Sequence, residues 1–480
     1  MRAKIFAEEN RRWWTLGALC FALFMIMLDN TVVNVALPAI KADLGISQAE
    51  VEWTVAAYAL TFASLLLTGG KLGDLVGRRR IFAIGLVIFT LSSLFCGLSG
   101  SAAELIAARG VQGVGAALMM PATLSIISAT FSVRERGTAI GIWAGVSAMA
   151  LAIGPLLGGI ITEHISWNWI FYVNVPIGVL AVLAAIFVVP ESKDTSREQR
   201  LDLPGLLSSG IGLLALVYAL IEANQYGWTS ARILGLFAVA AVALVSFVFL
   251  EMHQRLPMLD LSLFKNGTFA GANLVAILVT LAMFGIFVFF PIYMQTFLGW
   301  SPIQAGAALL PWTIMIVIFA PIAGKLSDRV GSRWLMAGGM TTVAVCCLLL
   351  STVTLHSTFW HMLPAFILGG LGMSFVMTPM SAAAMGAAPV AKAGVASGVL
   401  NTFRQVGVAL GIGIMGAIVA DRAKVAAHAG ASPPEAFVKG LTDGMRVSAA
   451  ICLAAAVAAA VLVRKYRHAE EESPALEVAA

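Results

Sequence analysis

Residues 69–80 read GGKLGDLVGRRR, and a closely similar stretch, AGKLSDRVGSRW, occupies residues 323–334. A second pattern consists of glycines with the same spacing in the two halves of the chain: Gly137, Gly141, Gly154 and Gly159, then Gly394, Gly398, Gly411 and Gly416. Self-similarity of this kind indicates a structural unit that occurs twice. The sequence therefore predicts two halves with the same fold.

The composition places that fold in a membrane. The chain has 480 residues, of which 60% are hydrophobic and 11% charged, whereas about a quarter of a soluble domain is charged. Apolar runs of roughly 20 residues recur between Trp13 and Val463, and each can cross about 30 Å of hydrocarbon as a helix. Residues 276–290, AILVTLAMFGIFVFF, lack the alternation of a membrane β-strand. An all-α integral membrane protein is predicted.

The apolar runs predict fourteen transmembrane helices. They lie near 13–38, 51–70, 80–98, 103–127, 138–161, 168–189, 203–223, 231–250, 269–297, 303–323, 334–355, 359–380, 395–420 and 444–463. Two extra helices separate the halves, and because two is an even number, the second half has the same polarity as the first, so the repeats are parallel. The predicted units are residues 1–190, the N-terminal six-helix half; 191–260, a linker with the two extra helices; and 261–480, the C-terminal six-helix half with a short cytoplasmic tail.

Charged residues predict the orientation. With the N-terminus inside, most of the 30 Lys and Arg residues fall in inner loops, which is the positive-inside bias. We therefore expect a multi-pass protein of the cell membrane with both termini in the cytoplasm. Scattered basic residues fit topology better than nucleic-acid binding, and the five cysteines lie in apolar runs without CxxC spacing, so no metal or cofactor is predicted.

These motifs resemble the major facilitator superfamily, and within it the fourteen-helix drug/proton antiporters of the QacA and EmrB type. Residues 70–80 resemble the superfamily's loop signature, although Leu75 stands where an arginine is usual. LDNTVVNVALP at 28–38 resembles the first-helix signature of the fourteen-helix group. Leu105, Arg109, Gln112, Gly113 and Gly115 resemble its fourth-helix signature. The resemblance spans the chain and implies the major facilitator fold.

The inner loop is a candidate gate. Its candidate residues are Gly70, Asp74, Gly77 and Arg78. The resemblance implies that Asp74 interacts with a helix N-terminus across the seam between the halves, closing the inner side in one state. Alternatively, the basic cluster only sets orientation at the inner surface and Asp74 only caps a helix.

The fifth span resembles the antiporter signature. The residues concerned are Gly141, Gly154, Pro155, Gly158 and Gly159. Small residues allow close helix approach, and proline weakens the backbone hydrogen bonding of the helix. The resemblance implies a pivot or leak seal, with ordinary small-residue packing as the alternative.

Charged residues deep inside spans are costly, on the order of 3 kcal/mol each, so each needs a partner or a task. Asp29 and Arg109 are expected at similar depths, and Asp29 could exchange a proton if the pair is reversible; a fixed ion pair is the alternative. Arg404 could bind a ligand or make structural hydrogen bonds. Glu222, near the outer interface, is an exposed acid or a second site, and Asn34 is expected at the cavity mouth.

Five aromatic residues could stack on a flat cation or simply pack between helices. They are Trp53, Tyr58, Trp143, Phe284 and Trp312.

No phosphate-binding loop follows Lys71 or Lys325, since the next residue is leucine in both places. The predicted energy source is thus an ion gradient, and the predicted function is export of hydrophobic, often cationic compounds in exchange for protons by alternating access. Expected partners are these substrates, protons and the lipid bilayer, with an accessory efflux subunit left open. A metabolite exporter with the same fold remains an alternative. A channel is less consistent with the presence of only three charged residues well inside spans, Asp29, Arg109 and Arg404. A membrane enzyme is less consistent with the histidines, none of which is convincingly paired with an acid or a cysteine.

Overall fold

The computed structural model describes residues 8–193, 202–254, 257 and 259–464, and the regular elements within these ranges are helices. The first six, with bounds from the structure, are α1 Glu8–Leu44, α2 Gln48–Val76, α3 Arg78–Leu98, α4 Ala102–Thr130, α5 Val133–His164 and α6 Asn174–Phe187, which follows a helical turn at Trp169–Tyr172. The inserted pair is α7 Leu203–Tyr226 and α8 Ala231–His253.

The second half contains six more long helices. They are α9 Gly267–Ile292, α10 Leu310–Val330, α11 Arg333–Leu350, α12 Phe359–Gly386, α13 Ala393–Leu410 and α14 Pro433–Leu462. Short pieces accompany them: 3₁₀ turns at Leu261–Lys265 and Val390–Lys392, π-helical turns at Tyr293–Phe297 and Gly411–Met415, a short helix at Pro302–Ala308, and the continuation of α13 at Gly416–His428.

Thirteen helical segments in the described part of the chain are long and apolar enough to cross a membrane. The prediction near 138–161 falls on α5, a 32-residue helix that is not one of the thirteen. The structure therefore supports a multi-pass helical membrane protein, while the count of fourteen spans stays a prediction.

Turns at corresponding places of the two repeats end α2 and α10. The residues are Gly77, with φ +125°, and Gly331, with φ +87°. Residues that carry a side chain rarely adopt such positive φ values. Both turns lie on the side of the membrane where α1 begins, called the terminal side below. The duplicated sequence thus encodes the same helix-ending turn twice.

Glycines bring helices close together inside each half. A Cβ on Gly85 would lie 2.8 Å from the Gly115 carbonyl oxygen, so α3 and α4 touch backbone to backbone. In the second half, a Cβ on Gly339 would lie 2.8 Å from the Gly372 carbonyl oxygen between α11 and α12. Small residues permit this approach where no hydrophobic effect drives helices together.

The halves meet along two seams that also depend on glycine. At the first seam, α2 against α13, a Cβ on Gly70 would lie 2.2 Å from the Gly394 carbonyl oxygen. At the second seam, α5 against α10, a Cβ on Gly324 would lie 2.0 Å from the Gly137 carbonyl oxygen. The two seams pair equivalent positions of the sequence repeat, as expected for parallel repeats.

The inserted helix α7 packs against the first seam. Leu60 and Ala63 of α2, Val217 and Leu220 of α7, and Ala409 of α13 form one buried cluster. Its partner α8 is mostly uncovered, because 17% of the residues in its most apolar 18-residue stretch are buried. Helix α7 therefore contacts both halves, whereas α8 presents a largely apolar surface that suits lipid.

Candidate functional site

Asp29 and Arg109 form a buried ion pair between α1 and α4. The distance from Arg109 Nη1 to Asp29 Oδ2 is 2.6 Å, and both side chains are at most 2% exposed. The Asp29 carboxylate also accepts hydrogen bonds from Gln112 Nε2 at 2.9 Å and from Asn174 Nδ2 at 3.0 Å. Four helix-borne side chains from α1, α4 and α6 therefore form one polar network inside an apolar half.

Arg109 is held from several directions. Its Nη1 donates to Gln112 Oε1 at 2.6 Å and its Nε to the Thr54 backbone oxygen at 3.3 Å. The ring centroid of Tyr58 lies 4.4 Å from the guanidinium carbon, close enough for a cation–π interaction. The Asp29 carboxylate thus accepts three hydrogen bonds, one on Oδ2 and two on Oδ1.

Two members of this network have no role that was predicted from the sequence. Gln112 belongs to the fourth-helix pattern without an assigned partner, and Asn174 belongs to none of the motifs. Asn174 precedes Val175 and Pro176 in an otherwise apolar run, and a lone amide at such a place is a signal that could have been used. Ser93 Oγ accepts a hydrogen bond from Gln112 Nε2 at 2.6 Å and so extends the network to α3.

The first seam is held by Asp74 and Arg78. Asp74 accepts hydrogen bonds from the backbone N–H groups of Gly394 and Val395, both at 2.9 Å, at the N-terminus of α13. Arg78 Nη2 lies 2.8 Å from Asp74 Oδ1 and also donates to the carbonyl oxygens of Val390 and Ala391. Arg78 is 1% exposed, so its guanidinium lies inside the seam together with Asp74.

The second seam has a matching contact that sequence analysis did not single out. Asp328 accepts hydrogen bonds from the backbone N–H groups of Gly137 and Thr138, at 2.9 and 3.2 Å, at the N-terminus of α5. Partial positive charge at a helix N-terminus favours such an arrangement. The repeated Asp of the loop motif therefore contacts the opposite half in both copies.

A cavity of about 250 Å³ lies between the halves. Its walls belong to α5, α9, α10, α12 and α13. Its lining includes Trp143, Ser147, Thr280, Phe287, Trp312, Met373, Ser374, Met377, Thr378, Ser381 and Arg404. Along α5 and α13 the seam residues come first and the cavity residues follow, while along α10 the order is reversed. The two seams therefore close the cavity on the terminal side.

Three of the candidate residues line this cavity: Trp143, Trp312 and Arg404. Trp53 does not, because it is 37% exposed and its ring lies 5.6 Å from Tyr218 of α7. Tyr58 packs on Arg109 instead. The aromatic residue of α9 that lines the cavity is Phe287.

Four further candidates are Glu222, Asn34, Pro155 and Phe284. Glu222 lies half-buried on α7. The side chains of Asn34, Pro155 and Phe284 lie outside the described part of the structure. No cluster of three or more metal-ligating side chains occurs among the described residues.

The α5 glycines have different surroundings. A Cβ on Gly141 would lie 2.5 Å from the Ala320 carbonyl oxygen of α10, and one on Gly154 would lie 1.8 Å from Thr31 Oγ1 of α1. A Cβ on Gly158 would lie 3.1 Å from Val32 Cα, while a Cβ on Gly159 would meet nothing within 4 Å. Close packing therefore involves Gly141, Gly154 and Gly158 but leaves Gly159 in open space.

The family description Major Facilitator Superfamily matches residues 19–412 and 272–478. The chain belongs to this superfamily. The superfamily consists of transporters rather than enzymes, and this member is a multi-pass membrane protein that handles small molecules.

Named relatives are resistance and export proteins. The puromycin resistance protein pur8 of Streptomyces alboniger is 37% identical over 98% of this chain and 95% of its own. The multidrug resistance protein Stp of Mycobacterium tuberculosis is 37% identical over 85% of this chain and 75% of its own. The tetracenomycin C resistance and export protein of Streptomyces glaucescens is 34% identical over 86% and 77%.

Solved structures share the fold. The proton:xylose symporter XylE is 14% identical with a TM-score of 0.69, covering 96% of this chain and 97% of that one. The human organic anion transporter MFSD10 is 12% identical with a TM-score of 0.66, covering 93% and 99%. At these identities the likeness concerns the fold alone.

Proposed function

We propose that this transporter exports drug-like organic compounds from the cell in exchange for protons, by alternating access. The relatives named for resistance to puromycin, to several drugs and to tetracenomycin C support the direction and the substrate range. The structural observation that carries the proposal is the cavity between the halves, closed on one side by two equivalent Asp-to-helix contacts.

Alternating access needs a contact that holds one side shut and can be released. Asp74 and Asp328 supply two such contacts, each joining one half to the other through two backbone N–H groups. Rocking of the halves breaks both contacts together because they lie on the same side of the cavity. The terminal side is then the cytoplasmic side, and opening it admits substrate from the cytoplasm.

The proton site in this proposal is Asp29. Its carboxylate is shielded from water and is balanced by one guanidinium and two amide donors. A shift of α1 or α6 that displaces one donor makes the carboxyl more able to bind a proton. A proton gradient supplies about 1.4 kcal/mol per pH unit, to which the membrane potential adds when the exchange moves net charge.

In this proposal the two moving halves are residues 1–190 and 261–480, and residues 191–260 carry the inserted pair of helices. The protein resides in the cell membrane with both termini in the cytoplasm in this scheme. An accessory efflux subunit remains a prediction from the resemblance.

The test uses vesicles that contain the purified protein and an internal pH indicator. A neutral or cationic dye added outside the vesicles should enter and drive protons outward, so that the internal pH rises. Asp29→Asn should abolish dye-driven proton movement while the protein still inserts and elutes as a single species. The control is Asp421→Asn, because Asp421 is exposed on the continuation of α13. Dye-driven proton movement that persists in Asp29→Asn would exclude Asp29 as the proton site.

A further inference from the structure

Arg404 is the one charged side chain among the described residues that line the cavity. It lies on α13, partly buried, and its backbone oxygen accepts a hydrogen bond from Thr280 Oγ1 at 3.0 Å. Its guanidinium makes no hydrogen bond or ion pair with the part of the protein that the structure describes. In contrast, Arg109 in the other half has an aspartate at 2.6 Å.

Two further donors on the cavity wall also lack an acceptor. Trp312 Nε1 and Thr378 Oγ1 are buried without a hydrogen-bond partner among the described residues, and the two side chains are 2% and 0% exposed. An indole N–H can only donate. Burying such groups unpaired costs about 1–3 kcal/mol each. The cavity wall therefore carries three unsatisfied donors, contributed by α10, α12 and α13.

Several other polar groups on the wall have their hydrogens engaged already. Ser374 Oγ donates to the Gly370 carbonyl oxygen at 2.8 Å and Ser381 Oγ to the Met377 carbonyl oxygen at 2.9 Å. The described lining contains no carboxylate that could pair with Arg404. An isolated guanidinium next to an apolar cavity is unfavourable without an anion, and guanidinium binds carboxylates with two parallel hydrogen bonds.

We propose that this cavity binds aromatic compounds carrying an acidic group, with the acid on Arg404 and the ring among Trp143, Phe287 and Trp312. Trp312 Nε1 and Thr378 Oγ1 donate to the remaining acceptor positions of the acid. The inference rests on the proposed export function, and it changes the substrate class from lipophilic cations to amphipathic organic anions. Met373 and Met377 on the same wall adapt to rings of different shape.

This substrate class changes the energetics of transport. Exchange of a proton for a monovalent cation moves no net charge, whereas export of an anion against proton uptake moves two charges. Each charge gains about 2.3 kcal/mol per 100 mV of membrane potential. Transport of acidic substrates by this protein therefore responds to the membrane potential as well as to the pH gradient.

The experiment compares three probes with the same ring: 2-naphthoate, 2-naphthamide and 2-naphthylmethylammonium. Binding is measured by equilibrium dialysis on the protein in nanodiscs of phosphatidylcholine, which carries no net charge. We expect naphthoate to bind about tenfold or more tightly than the amide, the effect of one charge-assisted hydrogen-bonded pair, and the ammonium probe to bind least. Added phosphatidylglycerol should compete only if anionic lipid headgroups share the site.

Variants assign the preference to Arg404. Arg404→Gln should remove the difference between naphthoate and naphthamide, and Arg404→Lys should retain part of it. The matched control is Arg446→Gln, because Arg446 is 55% exposed and already paired with Asp443. A second variant tests the inference independently of whether Arg404→Gln folds. Thr378→Val keeps the side-chain shape and should weaken naphthoate binding several-fold.

Equal binding of naphthoate and naphthamide to the unmodified protein would overturn the inference, as would an unchanged preference in Arg404→Gln. The proposed export function is judged separately, by proton movement in the vesicles described above, with dyes and with naphthoate. If dyes still drive protons but naphthoate shows no preference, only the substrate class is wrong. If neither the dyes nor naphthoate drive protons, the export proposal itself fails.

Discussion

Asp74 and Asp328 contact the opposite halves of the protein in the same way, but among the described residues only Asp74 has an arginine at hydrogen-bond distance. Asp74 is 2% exposed and lies 2.8 Å from Arg78, whereas Asp328 is half-buried and the residue equivalent to Arg78 is Ser332. The first seam thus adds a buried ion pair to the two backbone contacts. Removing one partner of a buried pair typically costs about 3–5 kcal/mol, because the other charge is left alone.

Asp74→Ala should therefore open the terminal side more than Asp328→Ala does. The readout is labelling of a cysteine at Ser147, which lines the cavity, by a charged maleimide added to the terminal side in a background without the five native cysteines. Asp74→Ala should raise the labelling rate several-fold and Asp328→Ala less. Asp421→Ala serves as the control. A labelling rate that Asp74→Ala leaves unchanged would contradict a gate at the first seam.

The α5 glycines make a second, internally controlled prediction. Gly141→Ala would place a methyl group 2.5 Å from the Ala320 carbonyl oxygen, so α5 and α10 must separate. The expected cost in free energy of unfolding is about 1–3 kcal/mol, with loss of transport. Gly159→Ala meets nothing within 4 Å and should leave both unchanged. Thermal unfolding and dye transport measure the two effects, and similar behaviour of the two variants would refute the packing role of Gly141.

Asp260 links the segment after α8 to the start of α13. Partial burial acts to raise the pKa of Asp260, but hydrogen bonds from Lys392 and Ser262 outweigh it and lower the pKa to about 2. A lowered folded-state pKa stabilises the folded protein above the unfolded value near pH 4, and this contribution is lost as the pH falls toward 2.

Asp260→Asn should accordingly lower the melting temperature by the same small amount at every pH from 5 to 8, since the pair is partly exposed and is worth about 1 kcal/mol or less. The difference should shrink only below about pH 4. Melting curves of both proteins across this range provide the measurement. A difference that disappears near neutral pH would mean that another group titrates at this contact.

Asp202 and Glu251 bring two carboxylates together at the terminal ends of α7 and α8. Asp202 Oδ2 and Glu251 Oε1 would lie 2.2 and 2.8 Å from a Cβ on Gly205, and neither oxygen has a hydrogen-bond partner among the described residues. Like charges on two neighbouring carboxylates repel each other, which is unfavourable unless a proton or a cation lies between them.

Glu251→Gln should therefore stabilise the protein by about 1 kcal/mol, because the amide can donate to Asp202 while its oxygen still accepts from the Leu259 N–H. Asp202→Ala is the contrasting variant and should destabilise, since it removes the cap on the Gly205 N–H. Denaturation in mild detergent would detect both changes. Destabilisation by Glu251→Gln would show that Glu251 is needed in its charged form.

The sequence predicted the helical membrane class, the duplication and the superfamily because hydropathy and repeated glycines express local rules. It also indicated that Asp29 and Arg109 lie at similar depths, which the contact between them agrees with. It could not predict Asn174 as a partner of Asp29, because that contact depends on how α6 rotates against α1. Nor could it separate Trp53 from Trp143, since only tertiary packing decides which aromatic side chain faces the cavity.

Helix α7 lies across the α2–α13 seam, while no inserted helix in the described part of the chain lies across the α5–α10 seam. A compound dissolved in the bilayer would have to push α7 aside to reach the cavity through the covered seam. The surface that the transporter presents to lipid is therefore asymmetric although its two repeats are alike. Lateral entry from the bilayer would not have to displace α7 on the side formed by α5 and α10.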